Sequence, residues 1–209
     1  MESTKKRILN VSRQLFNEQG YSNVTIRMIA LELKMSSGNL NYHYKKREDI
    51  LEALYFEMVA EFDERINTLG QKDFTLEIVK NDIQTSMQRM VDYCFFWTDL
   101  YNLLRLNKKV KTHFDRAYQN RINGSLFLLN FLTEKGLLRN FEWPLESQFL
   151  AERMVSFGNT WLYNTFLYTK KINATYIDKQ ANNLLSMLYP YLTELGKKEY
   201  KKLLPDYFR

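Results

Sequence analysis

Apolar residues return every three or four positions through almost the whole chain. Nowhere do they alternate in the period of two, bounded by turn residues, that marks a strand. Only seven Gly and three Pro interrupt the 209 residues, and no proline precedes Pro144, so the pattern predicts helix from end to end. The first helix is expected from about Ser3 to Gln19, with Ile8, Val11, Leu15 and Phe16 on one stripe and Gly20 as its stop. A long helix from Arg47 through about Leu69 carries Ile50, Leu51, Leu54, Met58 and Phe62 at helical spacing and stops at Gly70. Beyond it the pattern predicts a helix from about Phe74 to Trp97 and a short one around Asp99 to Leu106. A long one follows from about Val110 to Lys135, ended by Gly136, and a loop from Asn140 to Pro144. Two final helices are expected, about Glu146 to Thr169 and Tyr176 to Leu195, with Pro190 kinking or breaking the second.

Between the first helix and the long one lie two short segments of different character. Ile26, Ile29, Ala30 and Leu33 give the first an inward side, and Thr25 suits its N-cap. In the second, Ser36 is the N-cap candidate and only Leu40 and Tyr44 are spaced to face inward. Ser37, Gly38, Asn41 and Tyr42 lie on the other side. A helix this short cannot be stable alone, so a face of small and hydrogen-bonding residues must be held out from a supporting core, as a major-groove reader is. Lys45, Lys46 and Arg47 follow at once, placing three cations and a helix start where they can grip phosphates.

Charge is distributed to match. Residues 1–50 hold nine Lys or Arg against five acids, residues 51–196 hold sixteen against seventeen, and a surplus of three positive charges sits in the tail from Lys197. A basic N-terminal part on a nearly neutral body is the electrostatic footprint of a polyanion-binding protein, although a solvated charged surface also produces such an imbalance. The hydrophobic share of 45% is enough for a substantial core, which excludes a disordered chain. The single cysteine, Cys94, stands among Tyr93, Phe95, Phe96 and Trp97, reads as a buried small hydrophobe, and excludes a disulfide framework. The N-terminus has no apolar signal region, and Met154 to Thr169 is too short and too polar to span a bilayer, so a soluble cytoplasmic protein is expected. Catalysis finds no support: the two histidines are far apart, and there is no Cys pair, zinc-protease motif, glycine-rich phosphate loop or nucleophile elbow. No metal and no cofactor is expected.

The run from Phe16 to Leu51 resembles the N-terminal DNA-binding domain of the tetracycline-repressor (TetR) family of bacterial transcriptional regulators. The likeness rests on Phe16, Gly20 and Tyr21 ending the first helix, Thr25 opening the second, and Ala30 in its middle. Ser36 and Gly38 then open the third, and Leu40, Tyr42, His43 and Tyr44 close it. It covers about the first fifty-five residues. Two positions depart from the pattern. Lys34 stands where the family usually has Gly at the turn, which requires a left-handed or looser turn, and Asn41 stands where a Tyr is frequent, which alters the base that is read. The resemblance implies an all-α fold in which residues 1–50 form a three-helix helix-turn-helix domain. Residues 51–209 then form a helical bundle for ligand binding and dimerisation.

The expected DNA-binding residues are Thr25, Arg27, Ser36, Ser37, Gly38, Asn39, Asn41, Tyr42, His43, Lys45, Lys46 and Arg47. Arg27 is open to guanine or phosphate, and His43 to phosphate contact or packing. The last two helices are apolar on more than one side, and the excess must meet something. The resemblance implies pairing with a twofold mate through Phe157, Gly158, Trp161, Leu188, Tyr191 and Leu192, whereas central helices in a monomeric core would show the same pattern. Tyr93, Phe96, Trp97, Tyr101, Trp161 and Tyr163 are the candidate walls of an effector pocket for an apolar or aromatic small molecule, with Asn102, Arg105 and His113 as polar handles. The function implied is a homodimeric repressor of a near-palindromic operator. The alternative is a helical architectural or protein-interaction module that binds DNA weakly and without sequence preference.

Overall fold

The computed structural model of the protein describes residues 2–69, 75–168 and 171–208, with the backbone alone from 64 to 69. Helices make up nearly all of it, in the order α1 (Thr4–Gln19), α2 (Ile26–Glu32), α3 (Ser37–His43), α4 (Arg47–Leu69), α5 (Leu76–Asp92), α6 (Cys94–Thr98), α7 (Leu100–Leu106), α8 (Lys108–Glu134), α9 (Glu146–Tyr168), α10 (Ala174–Ser186) and α11 (Glu194–Leu203). Among the described residues the β pairing is a single antiparallel bridge, Leu138 to Leu192. No helix there is long and apolar enough to cross a membrane.

Two helices expected to be continuous are each divided. The one expected from about Phe74 to Trp97 leaves helical geometry at Tyr93, whose ψ of 38° separates α5 from α6; Phe74 itself lies outside the described residues, as does the expected stop at Gly70. The one expected from Tyr176 to Leu195 ends at Ser186. Pro190 then sits in a 3₁₀ turn, Tyr189–Tyr191, and a separate helix, α11, starts after Thr193. Lacking an amide hydrogen, Pro190 breaks the ladder rather than bending it.

The chain divides into two compact units, Met1–Gln71 with Met90–Phe114, and Lys72–Arg89 with Asp115–Arg209. The first therefore extends past residue 50. Ile8, Phe16, Tyr21, Ile29, Leu40, Ile50, Leu54 and Phe96 are all buried in it. Phe16 meets Tyr21 and Phe95 at ring separations of 5.0 and 5.3 Å. Asn17 fixes the start of α6 to α1, its Nδ2 donating to Asp92 O (3.0 Å) and its Oδ1 accepting from the Phe95 amide (3.1 Å).

The second unit buries Leu129, Leu132, Leu150, Met154, Trp161, Leu162, Ile177, Leu185 and Leu188. Its α8 ends in a Schellman closure, with Gly136 at φ 72° and the amides of Gly136 and Leu137 donating to Thr133 O and Leu132 O. The following residues are pinned to the segment before α11: Thr193 donates its amide to Leu137 O (3.0 Å) and its hydroxyl to Gly136 O (2.6 Å), and Arg139 donates its amide to Tyr191 O (2.8 Å). Arg139 also forks onto the buried Glu146, at 2.9 and 3.3 Å, and this holds the Glu146 carboxyl below the ordinary carboxylate range.

Lys34 takes the left-handed turn that its position requires, at φ 54°. It closes α2 as Gly136 closes α8: the Lys34 amide donates to Leu31 O (3.0 Å) and the Met35 amide to Ala30 O (2.9 Å). A residue with a Cβ costs about 1–2 kcal/mol in this conformation, and glycine's extra chain entropy returns about half of that. Lys34→Gly is therefore expected to stabilise the protein by about 0.5–1 kcal/mol, read as a higher denaturation midpoint with an unchanged m-value.

Candidate nucleic-acid interface

Both short helices are started by hydroxyl caps. Thr25 Oγ1 accepts from the Met28 amide (3.3 Å) and Ser36 Oγ from the Asn39 amide (3.1 Å). The joint at Lys34 lets α3 turn away from α2, and of the seven residues of α3 only Leu40 is buried. Ser37 and His43 are half-buried, whereas Gly38, Asn39, Asn41 and Tyr42 are exposed, Tyr42 at 86% with its ring edge-on to His43. Thr25, Arg27 and Ser36 are exposed near by in sequence, and so are Lys45 and Lys46. One anchored leucine thus presents a surface of amides, hydroxyls and cations, the chemistry that reads base edges and grips phosphates.

At the start of α4 two of the groups expected to meet phosphate have partners within the chain. The Lys46 amide already donates to Asp49 Oδ2 (3.1 Å), and Glu48 and Asp49 fill the first turn, so the positive pole of this helix is matched within the protein. Arg47 turns inward: its Nη1 donates to Val24 O (2.7 Å), Tyr21 O (3.0 Å) and Ser22 O (3.3 Å), and its guanidinium lies 4.2 Å from the centre of the Tyr21 ring. Sequence marks Arg47 as one more cation beside Lys45 and Lys46; only the fold shows that carbonyl oxygens surround it. Tyr21 in turn donates to Glu48 Oε1 (3.4 Å), and burial, reinforced by Glu48, pushes its phenol up to about 12.

Deeper in the same unit, Glu57 accepts from Lys6 Nζ (2.6 Å) and from the Tyr93 hydroxyl (3.1 Å), joining α1, α4 and the break before α6. Tyr93 also reaches Glu61 (3.0 Å), and burial raises its phenol above the ordinary range. Tyr93, Phe96 and Trp97 are packed in this interior, Phe96 against Tyr55, Trp97 and Phe114, while Tyr101 lies exposed beneath Arg105. His113 Nδ1 is bonded to the Tyr55 hydroxyl at 2.9 Å, and Asn102 to Asp99 at 2.6 Å. Cys94 is half-buried, its thiol pushed up by burial. Trp161 and Tyr163 belong to the second unit, the first buried and the second exposed.

The residues expected at a dimer interface divide sharply. Trp161 (2% exposed), Leu188 (0%) and Leu192 (5%) are already covered within one chain and have no surface left for a second copy. Phe157, Gly158 and Tyr191 are half-buried, Tyr191 beneath Arg139 and bonded through its hydroxyl to Arg153 (3.1 Å). The outward side of α9 instead carries Phe149, Arg153, Ser156, Thr160, Tyr163 and Leu167, all exposed and spaced by three or four, with Phe166 beside them. In the apolar pattern alone Phe149, Phe166 and Leu167 are indistinguishable from the rest of an all-round apolar helix. The signal was present: Arg153, Ser156 and Thr160 mark the face that a single chain leaves uncovered.

Relatives agree with this architecture. The regulator HbdR of Aromatoleum sp. (strain CIB) is 22% identical over 97% of this chain and 87% of its own length. A TetR-family regulator from Marinobacter aquaeolei VT8 superposes with a TM-score of 0.89 at 22% identity, covering 99% of both chains. AibR, solved with isovaleryl coenzyme A and operator DNA, superposes with a TM-score of 0.69 at 16% identity over 91% of this chain and 100% of its own. Residues 8–54 match the bacterial regulatory proteins of the tetR family and residues 57–200 match the TetR bacterial transcriptional repressors, so the chain belongs to the TetR family of bacterial transcriptional repressors.

Proposed function

We propose that the protein represses transcription as a homodimer that binds a near-palindromic operator through α3 and releases it when a small molecule binds. The observation that carries the reading is the single buried residue of α3, Leu40, which leaves Ser37, Gly38, Asn41 and Tyr42 free for base edges and their surroundings. Asn41 is the proposed base reader, because its amide can pair bidentately with adenine, and Arg27 is the second. Thr25, Tyr42, His43, Lys45 and Lys46 hold phosphates, with Ser36 and Asn39 at the start of the helix. Family membership supports operator binding by paired chains. The outward face of α9, from Phe149 to Leu167, is the proposed dimer surface: a twofold axis through it would set this patch against the same patch of a second chain in an isologous contact. The proposed effector is an apolar or aromatic small molecule, a class read from the aromatic content of the chain, and AibR is a structural relative solved with both a ligand and DNA.

The test is competition binding across single-base variants of an operator selected from genomic fragments. Asn41→Ala is expected to lose about 1–3 kcal/mol and to relax preference at one base pair per half-site. Lys46→Ala is expected to weaken every site alike, lowering the slope of log K against log salt by about 0.9 for each phosphate that is no longer neutralised. An Asn41→Ala protein with an unchanged preference profile, or a wild type without any preference, would remove the reading.

A further inference from the structure

Arg47 stands in the basic run that flanks α3, yet its side chain is directed into the protein. We propose that Arg47 is a positioning residue of the DNA-reading head: it fixes Thr25 and the start of α2 to the start of α4, and is not a ligand for DNA phosphate. This role rests on the reading of α3 as the DNA reader. It goes beyond that reading by naming what sets the place of α2.

The geometry is that of a clamp. Between Gly20 and Thr25 the chain makes a 3₁₀ turn, Tyr21–Asn23, too short to hold its own shape by backbone bonding alone. The carbonyls of Tyr21, Ser22 and Val24 converge on one nitrogen, Nη1, at 3.0, 3.3 and 2.7 Å. That nitrogen carries two hydrogens, so Val24 and Tyr21, the closer acceptors, hold them and Ser22 shares one. A guanidinium is suited to this place because it is planar and always charged, and it meets the negative end of a turn while its face covers the Tyr21 ring at 4.2 Å.

Val24 is followed directly by Thr25, whose hydroxyl caps α2 through the Met28 amide. Any displacement of the first turn of α4 is thus passed through Val24 to Thr25 and Arg27. Lys45 and Lys46, the exposed neighbours, are left as the phosphate cations.

The experiment is amide hydrogen exchange on the full-length, DNA-free protein, wild type against Arg47→Met, with operator binding over a series of salt concentrations as a second readout. Methionine keeps an apolar stem over Tyr21 and removes the charge and the donors. The clamp predicts roughly tenfold or faster exchange at Asn23, Val24 and Met28, with the Leu40 amide of α3 still protected. It also predicts operator affinity reduced by about tenfold or more with an unchanged salt slope, because a misplaced Thr25 carries no charge and releases no counterion. Wild-type exchange at Asn23, Val24 and Met28 overturns the proposal, and so does a salt slope lowered by about 0.9 per protomer, the mark of a phosphate that Arg47 had neutralised. Should Arg47→Met also expose Leu40, the head has unfolded and Arg47→Gln decides, since it keeps an amide donor without the charge. Faster exchange confined to Asn23, Val24 and Met28 supports the clamp, and wild-type exchange at all of them overturns it. The exchange readout uses no DNA, so it judges the clamp even if the wild-type chain showed no sequence preference, a result that would sink the proposed function instead.

Discussion

Leu188→Glu is expected to unfold the second unit rather than to split a dimer. Leu188 is 0% exposed and sits just beyond α10, its amide bonded to Leu185 O and its carbonyl to the Tyr191 amide. Replacing it removes a fully buried leucine, worth about 2–5 kcal/mol, and sets a carboxylate where no water reaches, which adds a further cost of a few kcal/mol even if the group takes up a proton. The sum rivals the whole stability of a typical domain, about 5–15 kcal/mol. Loss of helical signal and of the cooperative melting transition at 25 °C is the expected result. Leu167→Glu is the contrasting case. Leu167 is exposed on the outward side of α9, so its replacement should move stability by no more than about 0.5 kcal/mol while putting a charge into the apolar part of the proposed twofold contact. Sedimentation velocity on the two proteins separates the outcomes: a folded monomer for Leu167→Glu and an expanded chain, its second unit unfolded, for Leu188→Glu. A folded, dimeric Leu167→Glu protein would remove this face of α9 from the interface.

The second large effect is expected at Gly196, in the first turn of α11. Helix propensity alone predicts that Gly196→Ala stabilises by about 1 kcal/mol. Packing reverses the sign. An added Cβ would overlap Leu137 O, the same carbonyl that accepts the Thr193 amide, and would press on the Leu192 side chain at 3.0 Å. Because the obstacle is backbone, α11 itself must shift, at the expense of the bonds from Thr193 to Leu137 O and Gly136 O. Overpacking costs about 1–3 kcal/mol and each broken hydrogen bond about 0.5–1.5 kcal/mol, so a net destabilisation of about 2–4 kcal/mol is expected. Urea denaturation measures it, and a Gly196→Ala protein at least as stable as wild type would show that α11 is free to move.

What could be read from sequence followed the range of the interactions involved. Thr25, Ser36, Gly136 and Lys34 act on their own helix ends within a few residues, and their caps and turns stand where the pattern put them. The exposed face of α3 was legible for the same reason: a short helix with one inward leucine has its other side exposed by default. Burial that depends on distant segments was not legible. Trp161, Leu188 and Leu192 look like surplus apolar surface until the fold is seen to bury them within one chain. Arg47 looks like a neighbour of Lys45 and Lys46 until the carbonyls some twenty-five residues earlier are brought to it. The α10 pattern continued through Pro190 because apolar spacing survives across a turn that only backbone hydrogen bonding interrupts.

The three tryptophans give the protein a built-in set of optical reporters. Trp97 is buried in the first unit, Trp161 in the second, and Trp143 is 45% exposed, with its ring 5.5 Å from that of Phe149 at the start of α9. Chains that retain one indole each, the others replaced by Phe, would report separately on the two units, since a buried indole emits towards the blue and shifts to the red when water reaches it. Trp143 would respond to neither unit's core but to collision with iodide. Its quenching should fall with rising protein concentration if Phe149 is covered when two chains meet, so steady-state fluorescence of the three chains could follow association and the unfolding of each unit separately.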